Sequence, residues 1–272
     1  LLILQRYYTD GVPSPAVLIG EGMAVVGLGV FFAAWLFPAE ASLLCVFLAA
    51  LSCTDSLVRL LEWNRREIFE RNRAPWTANA QLTLRLLGLF IGSTIAFSAL
   101  SLVLPLDQVE QLFSHQIEPF QNRSFQEMDF GTVGGLVAHN TYVLLFFFVM
   151  AIPFRHGGIM LAVAWNASVW GATFGVLARR FGETAGISVA EAYLRVMSAC
   201  GPHMLIEAAA YTLGGLAGVF LSKGLLQYAL DSAPLESIVN SVGLMLLAGF
   251  SLVVFGAVWE ALLTPQLVIL FG

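Results

Sequence analysis

Charge is what this sequence has least of. Only 11% of its 272 residues are Asp, Glu, Lys or Arg, against 58% hydrophobic, whereas soluble domains approach about a quarter charged. One soluble core in a chain of this length cannot hide so much apolar side chain, so the excess must face lipid. Positive charge is the scarcer sign: 13 Lys and Arg against 18 Asp and Glu leave a net charge of −5 and a pI near 5.3. That balance offers no basic footprint and excludes a nucleic-acid partner. Cysteine is also rare. Cys45 and Cys53 lie eight apart on one predicted helix, too distant to bridge, and with Cys200 they read as packing residues. Catalytic signatures are missing as well: no Gly-x-Ser-x-Gly elbow, no His-Glu-x-x-His helix and no Gly-rich phosphate loop. A Ser/His or paired-aspartate arrangement for intramembrane proteolysis is not found either. No catalytic residue, cofactor or metal is therefore expected, nor a secretory leader to remove.

What the chain does have is long apolar runs, with a mean hydropathy of +0.80. Outer-membrane barrels alternate apolar and polar residues in stretches of about ten, so the expectation is an all-α, polytopic transmembrane bundle. A crossing helix needs roughly 20 apolar residues. Seven stretches qualify: 16–37, 41–61, 81–104, 133–154, 158–177, 201–221 and 238–263. Pro38-Ala39-Glu40 separates the first two as a helical hairpin, since proline cannot continue the hydrogen-bond ladder. The second stretch carries Asp55 and Arg59 and is expected to leave the membrane early as an amphipathic helix. Residues 1–80 thus form an N-terminal hairpin with a basic helix, and 81–272 a five-span core.

Residues 59–85 contain Arg59, Arg65, Arg66, Arg71, Arg73 and Arg85. Glu62–Arg66 and Glu67–Arg71 are spaced for ion pairing along a helix, and the cluster is expected on the cytoplasmic side. The N-terminus then lies inside, residues 105–132 outside, the Arg155-His156-Gly157 turn inside, 178–200 outside, Lys223 inside and the C-terminus outside. Arg179 and Arg180 are the awkward members of this arrangement. In the outer segment Val109, Leu112, Phe113, Ile117 and Phe120 recur at helical spacing beside Asp107, Glu110, Glu118, Glu127 and Asp129. That pattern predicts an interfacial or partner-facing amphipathic helix. The sequon Asn122-Arg123-Ser124 is a single short match. Ser188-Val189-Ala190-Glu191 has capping-box spacing, which predicts a short helix ahead of a break at Gly201-Pro202.

Charged groups inside spans cost about 2.5–3.5 kcal/mol each on insertion scales, so each needs a partner or a purpose. His203 and Glu207 fall one turn apart in the sixth span, where a carboxylate can share a proton with imidazole. Asn166 sits in the fifth span, Glu260 near the end of the seventh, and His139-Asn140 opens the fourth. One reading makes Asn140, Asn166, His203, Glu207 and Glu260 interhelical glue. A second makes them a proton or ion path. A His-x-x-x-Glu pair also has two of the ligands a metal would need, but the other histidines fall at different depths. Gly171 and Gly175, with Gly214, Gly215 and Gly218, are spaced to let helix backbones approach closely.

In order and spacing, these residues resemble the stage II sporulation protein M family of bacterial and archaeal membrane proteins over about residues 81–272. The pieces are Asn140, Asn166 with Gly171 and Gly175, Pro202-His203 with Glu207 and Gly214-Gly215, and Glu260-Ala261-Leu262-Leu263-Thr264-Pro265. Met204 stands where the family usually has glycine. The resemblance implies a non-enzymatic scaffold or assembly subunit of the bacterial inner membrane. It would meet lipid and envelope or membrane proteins, or its own copies, through Asp107, Glu110 and Glu118 outside and Arg65, Arg66, Arg71 and Arg73 inside. The alternative expectation is a transporter, channel or lipid-moving protein with a polar path through His203 and Glu207. A third is a subunit of a larger membrane complex.

Overall fold

The computed structural model describes residues 8–9, 12–118 and 131–271. The sequon, with Phe120, Glu127 and Asp129, lies outside the described residues. After a two-residue antiparallel pairing of β1 (Tyr8–Thr9) with β2 (Val12–Pro13), the described chain is helical. Its helices are α1 (Pro15–Leu36), α2 (Ala41–Ser52), α3 (Thr54–Phe69), α4 (Pro75–Val103), α5 (Leu106–Leu112), α6 (Ser114–Ile117), α7 (Val133–Phe154), α8 (His156–Ala185), α9 (Val189–Gln227), α10 (Ala233–Leu262) and α11 (Thr264–Phe271).

Among the described residues, seven helical stretches are long and apolar enough to cross a membrane, with α2 and α3 counted together. Large apolar side chains such as Phe31, Trp35, Leu84, Tyr142, Leu247 and Phe255 stand exposed around them, a surface that only lipid tolerates. The protein is a membrane-embedded, all-α bundle. Its ends are cut by the expected local chemistry. Ser14 caps α1, its hydroxyl accepting from the Val17 amide, with Pro15 at the first helical position where its missing N–H costs nothing. Pro38–Glu40 forms a single 3-10 turn, and the hairpin break falls there as the sequence implies. The second span breaks at Cys53 into α2 and the more polar α3.

Two expectations are corrected. α9 runs unbroken through Gly201 and Pro202 for 39 residues, where a break was expected. Proline removes one ladder bond, but inside a membrane bundle neighbouring helices hold the flanking turns in place. Ser188 does cap this helix, its hydroxyl accepting from the Glu191 amide at 3.2 Å; the Glu191 carboxylate meanwhile turns outward to Arg195 at 2.7 Å. The turn between α7 and α8 is also shorter than expected. Arg155 alone makes it, with φ of 45°, and His156 and Gly157 already belong to α8.

α8 and α9 are the interior helices. α9 packs on α7, α8 and α10, and α8 also on α4. α1 lies along α4, and α2 along α8. Since lipid tails are as apolar as leucine, burial does not drive these contacts; close packing does. Small residues supply it. A Cβ built at Gly171 would sit 2.6 Å from Phe97 Cβ, and one at Gly175 2.5 Å from Ser101 Cβ, so α8 meets α4 backbone to backbone. Gly214 faces the Leu144 carbonyl at 2.8 Å and Gly218 faces Ala151 Cβ at 2.8 Å, both across to α7, while Gly215 faces Ile159 of α8. The sequence pattern did not single out Gly22, Gly88 and Gly92, which make the same kind of crossing between α1 and α4.

Candidate binding cavity

α2 and α7 both rest on α8, and between them lies a cavity of about 1020 Å³. That size is at the upper end of pockets that enclose a drug-sized molecule. Each wall is one helix face. Leu43 and Phe47 come one turn apart from α2, Asn140, Val143 and Phe147 from α7, Trp165 and Val169 from α8, and Glu207 and Tyr211 from α9, all at the three- and four-residue spacing that shares a face. Glu40 joins from the 3-10 turn and Glu260 from the end of α10. Leu43, Phe47 and Phe146 line the cavity and are also exposed, so it opens on a side of the bundle where α2 and α7 present apolar side chains.

The floor is polar. The Asn140 amide Nδ2 donates to Glu207 Oε1 at 2.5 Å, and Glu260 lines the same floor from the next helix. Glu207 and Asn140 are each only 4% exposed, which leaves the half-buried Glu260 as the carboxyl facing the opening. Asn166 reaches the same cavity, its Nδ2 donating to the Ala162 carbonyl one turn back at 2.8 Å.

Four of the five polar residues singled out in the sequence, Asn140, Asn166, Glu207 and Glu260, therefore meet at one site. His203 does not line it. Its Nδ1 lies 3.2 Å from the Thr264 hydroxyl, and its ring meets Trp170 edge-on at 5.8 Å between centroids. In place of the expected sharing between His203 and Glu207, Asn140 of α7 takes up the carboxyl and Thr264 of α11 the imidazole. Met204, beside it, is buried in the core. Sequence reasoning missed Tyr211, though it follows Glu207 by four residues on one face. It also missed Glu40, taken only as part of a turn, and Glu21, whose carboxylate accepts from Ser56 between α1 and α3. Among the described residues, no three His, Cys, Asp or Glu side chains gather as a metal site.

The two charged surfaces behave differently from one another. Arg65 pairs with Glu62 and Glu70 at 2.8 and 3.1 Å, and Arg66 with Glu62 at 3.2 Å. Arg71 and Arg73 both pair with the buried Glu67, at 2.6 and 2.9 Å. Both predicted pairs form, and the basic segment largely neutralises itself. On the opposite side, α5 and α6 turn Val109, Phe113 and Ile117 into the bundle and leave Asp107, Glu110 and Glu118 exposed. The fully buried Gln116 pins them, accepting from the Ser42 hydroxyl at 2.8 Å and donating to the Ser42 carbonyl at 2.9 Å. The amphipathic stretch thus spends its apolar face on its own bundle. Arg179 is spent too: it donates to the Ser101 and Leu104 carbonyls at 3.0 and 2.6 Å, capping the end of α4.

Comparison with family models, curated proteins and solved structures returns no match for this chain.

Proposed function

We propose that this protein is a non-enzymatic membrane carrier that takes an amphipathic small molecule from the bilayer into the cavity between α2 and α7. The observation that carries the reading is a large, laterally open, mostly apolar cavity whose polar groups converge at its floor on Glu207 and Glu260. Groups that only glued helices together would leave no such space. The apolar wall suits a hydrocarbon body and the floor its polar end. This favours the transporter or lipid-moving alternative, with the polar path running through Asn140, Glu207 and Glu260 and His203 standing behind it.

A second reading keeps the scaffold implied by the resemblance to the stage II sporulation protein M family. Its support is the outward acidic face of Asp107, Glu110 and Glu118, held rigid by Gln116 and Ser42, a ready platform for an envelope protein. In both readings the protein sits in a bacterial inner membrane with its N-terminus inside, as the arginine distribution suggests.

Native mass spectrometry of protein purified in mild detergent separates the two. The carrier reading expects one small amphiphile per chain, lost in a folded Val143→Trp variant whose indole fills the cavity. Stoichiometric partner chains, retained in that variant and lost when Asp107, Glu110 and Glu118 become lysine, would overturn it in favour of the scaffold.

A further inference from the structure

The cavity has a sign. Among the described residues, three carboxyls, Glu40, Glu207 and Glu260, line it, and no lysine or arginine does. Within a low-dielectric wall such a set repels an anionic headgroup and attracts a cation far more strongly than it would in water. The wall is also rich in π-faces, with Trp165, Trp170, Tyr211 and Phe147 all reaching the space, and such faces attract positive charge further. Two arginines within the bundle are engaged elsewhere: Arg179 on the carbonyls at the end of α4, and Arg85 over the Trp63 ring at 4.0 Å. The lining offers a phosphate neutral donors, from His139, Asn140, Asn166, Trp165, Trp170 and Tyr211, but no cationic lysine or arginine among the described residues.

From this we infer that the cavity takes a lipophilic organic cation, with its positive centre beside Glu207 and Glu260 and its apolar body against the aromatic wall. The inference rests on the carrier reading and names the class of molecule carried. Charge complementarity selects this occupant over a phospholipid: the apolar walls fit either, but the carboxyls of the floor favour a cation over a phosphate. Asn140, by fixing Glu207, aims one carboxyl across the cavity floor, and Glu260 supplies the more accessible second.

The test uses two probes of nearly the same shape and opposite charge, tetraphenylphosphonium and tetraphenylborate. Equilibrium binding of each is measured on the purified full-length chain in a neutral detergent. The phosphonium is expected to bind once per chain and on the order of tenfold tighter than the borate. The doubly substituted Glu207→Gln, Glu260→Gln protein should lose that preference while keeping its thermal transition, because glutamine preserves the acceptor that Asn140 uses. Glu260→Gln alone provides a second variant that leaves the Asn140–Glu207 bond untouched, and it should lose part of the preference. Equal or tighter borate binding, abolished in both probes by Val143→Trp, would overturn the cationic assignment while leaving the carrier reading in place. If neither probe binds, the cationic assignment fails; an amphiphile retained in native mass spectrometry would then show that the carrier reading survives without it, and its absence that both fail.

Discussion

At the residue scale, the bundle is held by a few polar groups whose partners come from other helices. Asn140 donates to Glu207 and both are buried, so Asn140→Leu leaves a buried carboxyl oxygen without its donor, at a cost of about 1–3 kcal/mol. A lower melting temperature in detergent, with the helical circular-dichroism signal intact at low temperature, is the expected result. Arg179→Ala should act similarly, since it strips the donor from two carbonyls at the end of α4 and removes a cation from the negative end of a helix dipole. Arg66→Ala is the contrast: its pair with Glu62 lies at the surface, where such bridges contribute about 0–1 kcal/mol, and its melting temperature should hardly move. An Arg66 variant as damaging as the Arg179 variant would sink this ranking. The same residues mark what a sequence can disclose. Intramembrane polarity made Asn140, Asn166, Glu207 and Glu260 visible, because lipid penalises such groups whatever their partners. Their partners were not visible: helical spacing pairs His203 with Glu207, and only the packing of α7 and α11 reassigns them. Arg179 looked misplaced as a surface charge because its acceptors lie more than seventy positions away.

At the scale of helices, composition and periodicity read well where lipid sets the rule and poorly where a neighbouring helix does. The seven spans and the Pro38–Glu40 turn follow from apolar length and from proline chemistry, and the structure has them. The break expected at Gly201-Pro202 does not exist, because the rule for proline in an isolated helix is overridden when both flanks are packed. The glycine pattern was legible in α8 and α9, but the α1–α4 crossing at Gly22, Gly88 and Gly92 was not, since its glycines divide between helices far apart in sequence. Gly171→Leu should drive α8 off α4, because the added atoms meet Phe97 and the Thr94 carbonyl; overpacking of this kind costs about 1–3 kcal/mol or more. Gly157→Ala, with nothing within 4 Å of its added carbon, is the matched control and should be neutral or slightly stabilising. Thermal unfolding of the two variants side by side checks the pair, and equal melting temperatures would refute the close crossing.

At the scale of the whole molecule, an odd number of crossings puts the acidic helices α5 and α6 and the arginines of α3 on opposite faces. The native cysteines Cys45, Cys53 and Cys200 are all buried and free, so a membrane-impermeant maleimide will report on introduced ones. Glu110→Cys should label from outside intact cells, and Arg66→Cys only after the membrane is opened. Labelling of both from one side would contradict the seven-span topology; labelling of each from the face opposite to that expected would reverse the orientation drawn from the arginines. Fold class was legible because 58% hydrophobic residues at 11% charge leave few ways to be soluble. The cavity was not, because a void belongs to no residue and appears only once α2, α7 and α8 are set against one another.

The uninterrupted α9 has a further consequence. At about 1.5 Å per residue its 39 residues span about 58 Å, nearly twice the roughly 30 Å of hydrocarbon it crosses. Glu207 sits 18 positions beyond Val189 (207 − 189), so about 27 Å of rigid rod stands between the cavity floor and the helix tip. That length is braced rather than free: Ala192, Val196 and Ala199 are buried, and Val189 and Ala192 lie against Gly182 of α8. The tip of α9 is thus tied to the end of α8, and the turn at 186–188 joins two helices that brace each other rather than one that stands alone.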